Sequence, residues 1–118
     1  MSDLQGISRI RLHDGKLAQF KRLSDRFVEI VRTQDTGTLE FGVYFNDDES
    51  ECIVVERYCD AAALMEHGAH VGELAQEILA AGSVTSACLG APSAALREQL
   101  AGSPVQLFTP YRVLSQPR

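Results

Sequence analysis

The chain has 118 residues, 45% of them hydrophobic and 23% charged, a composition that excludes disorder and, at this length, supports one core but not two, so residues 1–118 read as one domain. Eleven Lys and Arg against sixteen Asp and Glu give a net charge of −5 without any basic stripe, which excludes nucleic acid as the expected partner. No apolar run approaches the roughly 18 residues needed to cross a bilayer, and Met1 to Gly6 lacks the basic and apolar regions of a signal peptide, so no membrane is expected and the location read is cytoplasmic.

Residues 7–12 predict a short strand with Ile10 and Leu12 on one face and Arg9, Arg11 and His13 on the other, ended by Asp14-Gly15. Leu17, Phe20, Leu23, Phe27, Ile30 and Val31 then recur at spacings of three and four, predicting an amphipathic helix that closes at Gly37. Leu39, Phe41, Val43 and Phe45 alternate with Glu40, Gly42 and Tyr44, and residues 52–58 form a second strand rich in β-branched residues. The acids between them, Asp47, Asp48, Glu49 and Glu51, read as the solvated tip of an antiparallel hairpin. Asp60 caps a second long helix over residues 61–81. Inside it Gly68 and Gly72 each cost about 1 kcal/mol relative to Ala. They predict a break near His70 or a close approach of backbone to the sheet, with the break favoured. Gly82 ends that segment. A strand over 83–89, a short helix over 93–101 and a last strand over 105–114 complete the order, with Pro110 placing the last strand at a sheet edge or bending it.

Strand, helix, strand, strand, helix, strand, with a small helix and one more strand appended, is the split β-α-β repeat of a ferredoxin-like α+β domain. Its helices cover one face of an antiparallel sheet. Arg9, Arg11 and His13 are too few to solvate the other face, which predicts face-to-face homodimerisation. Cys52, Cys59 and Cys88 are too few and too irregularly spaced for a disulfide framework or a zinc knuckle and read as reduced thiols, with Cys52 in the core.

Chemistry concentrates in two places. His67 and His70 stand one helical turn apart, and an imidazole titrating near neutrality suits the removal of a proton from a phenol or enol. A His-x-x-His pair without further ligands makes a poor metal site, so no metal is expected. The ordinary reading competes: His67 as a core histidine bonded to a backbone carbonyl, His70 as a solvated helix residue. Glu56 and Tyr58 share one face of their strand with Cys52 and Val54, where alternation otherwise places apolar side chains. Either Glu56 orients an imidazole of the second helix while Tyr58 hydrogen-bonds a substrate oxygen, or Glu56 pairs with Arg11 or Arg57 at a dimer surface. No G-x-G-x-x-G, P-loop or G-x-S-x-G sequence is present.

The run Glu56-Arg57-Tyr58-Cys59-Asp60-Ala61-Ala62-Ala63-Leu64-Met65-Glu66-His67-Gly68-Ala69-His70 resembles the Glu-x-Trp-x-Asp-x-x-Ala-Leu-x-x-His segment of the antibiotic biosynthesis monooxygenase family. Asp14-Gly15-Lys16-Leu17 is similar to that family's Gly-Lys start of the first helix. The resemblance implies a dimeric α+β barrel and oxidation of a quinol, polyphenol or polyketide by O2 without metal, haem or flavin. It also implies that Glu56, Tyr58, His67 and His70 border the pocket as catalytic residues. Tyr58 replaces the usual tryptophan, and the chain has no Trp, which counts against the haem-degrading relatives. The alternative function is a non-catalytic or stress-related dimer that shelters a small aromatic molecule. The 83–102 stretch, longer than the family's minimal pattern, either closes over the pocket or wraps the partner.

Overall fold

The computed structural model describes residues 3–117. The elements run β1 (Leu4–Leu12), α1 (Leu17–Gln34), β2 (Thr38–Phe45), β3 (Glu51–Tyr58), α2 (Ala61–Ala81), β4 (Gly82–Leu89), α3 (Ala94–Ala101) and β5 (Gln106–Phe108). Five strands form one sheet in the order β2-β3-β1-β4-β5, antiparallel except for the β4–β5 pair. This is the α+β, ferredoxin-like arrangement that the order of elements predicts, with α1 and α2 against one face.

The central strand β1 decides which side chains meet beneath the helices. Its Leu4, Gly6, Ser8 and Ile10 stand opposite Tyr58, Glu56, Val54 and Cys52 of β3, while Gly6, Ser8 and Ile10 stand opposite Cys88, Ser86 and Val84 of β4. At one end Ile10, Cys52 and Val54 pack with Phe20 of α1. At the other, Leu4, Tyr58 and Cys88 pack with Ala63 of α2 and Leu96 of α3. Leu23 and Phe27 meet Val71 and Leu74 between the two long helices. On β1 and β4 the middle of the sheet carries only the small residues Gly6, Ser8 and Ser86, so space is left under the helices there and a cavity remains. The Ser8 and Ser86 hydroxyls satisfy each other at 2.8 Å.

Several sequence expectations are corrected. The helix α2 runs unbroken through His70, and, apart from the helix's own backbone and the adjacent residues, no atom lies within 4 Å of a Cβ placed on Gly68 or Gly72. These glycines therefore serve neither a break nor a close backbone approach. The Asp60 cap on the Ala63 amide and the packing of His67, Val71 and Leu74 hold the helix despite them. A bulge between Thr38 and Glu40 turns Leu39 outward, 48% exposed, so the inward alternation of β2 is Phe41, Val43 and Phe45 only. The last strand is three residues long and stops before Pro110, which has no donor to continue the ladder. The helix α3 turns its Leu96 into the core and lies over the end of the helix-covered face.

Gly37 fixes how the α1–β2 connection sits on α2. A Cβ there would lie 2.5 Å from the Cβ of Ala63 and 3.0 Å from Sγ of Cys59, and its carbonyl accepts from the Cys59 amide at 3.0 Å. Gly37→Ala is expected to lose about 1–3 kcal/mol through forced displacement of packed atoms. Urea unfolding checks this through a lower midpoint at unchanged slope; an unaltered midpoint would mean the contact is not tight.

Candidate active site

The cavity between sheet and helices holds about 300 Å³. Phe20, Phe27, Phe41, Val54 and Val71 supply much of its wall, and Glu56 and His67 are the ionisable side chains on it. Their delivery follows from local structure. Glu56 faces inward because strand alternation keeps it on the side of Val54, and Gly6 opposite leaves its carboxylate room. His67 faces inward from α2 one turn before Val71.

Sequence reasoning passes over Asp35, the residue that organises the site. It is the first residue past α1, in extended conformation, and its side chain is fully shielded from solvent. Oδ2 accepts from Nδ1 of His67 at 2.7 Å and from the Thr38 hydroxyl at 2.8 Å, while Oδ1 accepts from Nδ1 of His70 at 2.6 Å. One carboxylate thus bridges both histidines. Because a carboxylate accepts only, each Nδ1 carries the proton, which leaves Nε2 of His67 free to act as an acceptor. Burial alone would push the Asp35 carboxyl up, but the hydrogen bonds from His70, Thr38 and His67 outweigh it and hold the group below the ordinary aspartate value. A faint signal existed in the sequence: an acid directly after a helix C-terminus opposes the helix dipole and needs a compensating partner.

Nε2 of His67 stands 3.6 Å from Oε1 of Glu56, beyond hydrogen-bond reach. The Tyr58 hydroxyl donates to that same Glu56 oxygen. Burial pushes the Glu56 carboxyl up, a rise that the Tyr58 hydrogen bond and His67 partly oppose and the Asp35 charge reinforces. Burial and the adjacent Glu56 raise the Tyr58 phenol far above its ordinary range, so it remains a proton donor.

Of the four residues singled out from sequence, the structure brings His67 and Glu56 to the cavity, sets Tyr58 directly behind Glu56, and links His70 to His67 only through Asp35. Tyr58 is fully buried and its hydroxyl meets Glu56, not the cavity. The competing pairing for Glu56 does not occur, since Arg57 bonds Asp3 and Arg11 lies nearest Glu51. His67 is packed as its core reading expects, its ring 5.5–6.0 Å from those of Tyr58, Phe27 and Phe41, but its polar partner is a carboxylate and not the expected backbone carbonyl. Cys52 is a core thiol pushed up to about 11 by burial. Among the described residues no group of three or more His, Cys, Asp and Glu has the arrangement of a metal site, and no helix is long and apolar enough to cross a membrane.

The model of the antibiotic biosynthesis monooxygenase family matches residues 7–77, a span that contains Asp35, Glu56, Tyr58, His67 and His70. The chain belongs to the antibiotic biosynthesis monooxygenase family. No curated protein sequence matches it. Among solved structures, MupZ from Pseudomonas fluorescens is similar at 24% identity and a TM-score of 0.83, with 98% of this chain and 95% of that one covered. Rv0793 from Mycobacterium tuberculosis is 22% identical with a TM-score of 0.67, covering 77% and 95%. SnoaB, a cofactor-independent oxygenase from Streptomyces nogalater, is 16% identical with a TM-score of 0.66, covering 77% and 94%. These likenesses establish the shared fold.

In this member of the antibiotic biosynthesis monooxygenase family the two carboxylates should respond oppositely to pH. Asp35 titrates below its ordinary value near 3.9, so its contribution is complete above that value and disappears as pH falls through the lower folded-state value. Asp35→Asn should cost about 2–4 kcal/mol at pH 7, with the gap to wild type closing in strong acid. Glu56 titrates above its ordinary value near 4.3, so wild-type stability declines as pH rises past that point. Glu56→Gln removes the decline and should melt no lower than wild type at pH 7.5, which thermal melts at pH 5 and 7.5 test directly.

Proposed function

We propose that this protein is a homodimeric, cofactor-independent monooxygenase that oxidises a quinol or polyphenolic small molecule with O2. The observation that carries the reading is the His67 imidazole, fixed at Nδ1 by Asp35 and presenting Nε2 to an aromatic-walled cavity beside Glu56. A substrate hydroxyl set beside the Nε2–Oε1 pair, off the 3.6 Å line that joins them, would contact both groups. His67 takes its proton, and Asp35 stabilises the imidazolium that forms. The resulting anion gives one electron to O2 and the radical pair joins at a ring carbon that bears hydrogen; the peroxide takes the proton held on Nε2, and loss of that carbon's hydrogen with cleavage of the O–O bond leaves one oxygen as the new carbonyl and releases the other as water. Base assistance is worth about 10²–10⁴-fold, while the apolar wall orients the ring and keeps water out. The description of SnoaB as a cofactor-independent oxygenase supports the same chemistry on this fold.

The dimer follows from the sheet face turned away from the helices. There Ile7 stands between Val55 and Ala87, with Ile53 on the same side, and all four are half-buried. Arg9, Glu51 and Arg57 surround them. A second copy laid on this face would bury well over the roughly 1,000 Å² expected of a specific interface. The large apolar residues Tyr111, Val113 and Leu114, which are 78–90% exposed, add to the surface that needs cover. Sedimentation at micromolar concentration should give a dimer.

Oxygen uptake by colourless protein across a panel of quinols tests the activity. His67→Gln should lower turnover by 10²-fold or more per folded molecule. Stability falls as well, because the ring is packed and bonded to Asp35, so rates are normalised to folded protein. His70→Gln, which touches Asp35 but not the cavity, should give the smaller loss. Ligand binding without oxygen uptake by any quinol would replace the oxygenase with an aromatic-binding module.

A further inference from the structure

A second cavity of about 250 Å³ adjoins the first. Glu56, Ser8, Ser86 and Val105 line both, so the two chambers share a wall at the carboxylate. Beyond it the second chamber is bounded by Leu64, Met65 and Gly68 of α2 and by Leu96 and Leu100 of α3, with Gln99 as a further polar side chain. Its α3 side is built from residues outside the 7–77 span that defines the family. MupZ covers 98% of this chain, whereas Rv0793 and SnoaB each cover 77%. The chamber thus combines residues of the span that the family model matches, such as Glu56, Leu64 and Gly68, with an α3 wall that lies outside it.

Resting on the oxygenase reading of the main cavity, we infer that the second chamber is a subsite for an aliphatic side chain carried by the aromatic substrate. The chemistry of the walls sets the division. Three phenylalanines, Phe20, Phe27 and Phe41, line the chamber that holds Nε2 of His67, which suits a flat ring with an acidic hydroxyl. The second chamber has aliphatic walls and no aromatic side chain, and flexible groups such as Met65 and Leu100 adapt to a chain better than to a ring. Glu56 and the Ser8–Ser86 hydroxyl pair stand at the junction, where a polar group joining ring to chain would find partners. Gly68 contributes by omission: with no side chain and nothing within 4 Å of a Cβ, it leaves the α2 side of the chamber open.

Calorimetric titration with 5-alkylresorcinols from methyl to hexyl, under nitrogen, separates this subsite from turnover. Affinity at one ligand per chain should rise about fourfold for each methylene that enters the chamber, then level off when it is full. Gly68→Phe, which places a ring in the chamber from an exposed helix position and improves helix propensity, should make hexyl bind no tighter than methyl. Leu100→Trp is an independent block from α3 with the same expected result. A series that is flat in wild type, a chain-length dependence that survives both substitutions, or no binding at millimolar ligand would each overturn the inference. A rising series in a protein that consumes no oxygen with any quinol would leave the subsite standing and remove the oxygenase. Oxygen uptake together with a flat series would do the reverse.

Discussion

The site depends on one buried carboxylate. Asp35 has no solvent access, and a lone ion in that position would cost several kcal/mol, so its three donors are conditions of its presence. His67, His70 and Thr38 each supply a hydrogen bond. Because these donors come from α2 and β2 while the acceptor ends α1, meeting them fixes the connection between α1 and β2 on the face of α2. Thr36 and Gly37 complete that junction, the first through hydrogen bonds to the Glu66 carboxylate and the second by allowing contact with Ala63. The orientation of the His67 ring is a consequence of this junction.

The second constraint is an absence of bulk. Leu4 and Ile10 fill the two ends of the sheet against the helices, but Gly6, Ser8 and Ser86 leave its centre unfilled. Larger residues there would stabilise the fold by burying more apolar area. The cavity is thus made at the expense of core packing, and Glu56 inside it adds a carboxylate that burial disfavours in its charged form. Suboptimal packing and a disfavoured charge at the same place are the physical features on which the proposed oxygenase site rests.

The two carboxylates that flank His67 are driven in opposite directions by their surroundings. Asp35, with three hydrogen bonds, is held as the anion and fixes the imidazole; Glu56, with the Tyr58 hydroxyl as its close donor, is pushed toward the acid. His67 lies between them, bonded to the first and 3.6 Å from the second. The ring thus stands between one carboxylate held as the anion by its donors and another whose charged form burial disfavours.

The elements were legible in the sequence because each rests on near-neighbour spacing. The three-four recurrence from Leu17 to Val31 buries Phe20, Leu23 and Phe27, and the strand containing Cys52, Val54, Glu56 and Tyr58 turns all four inward. Where a local rule failed, tertiary contacts overrode it: packing carried α2 through Gly68 and Gly72, and a bulge put Leu39 outside. The motif from Glu56 to His70 pointed to the right wall of the cavity, since strand and helix there are adjacent in sequence. It did not reveal that Tyr58 and His70 stand behind that wall, because depth depends on what packs from elsewhere. Asp35 was passed over for the same reason, its place after a helix C-terminus being only a faint signal. It lies 32 residues from His67 and 35 from His70, a separation that no periodicity reports, and only the docking of α1 on α2 makes a carboxylate at a helix end into the anchor of two imidazoles.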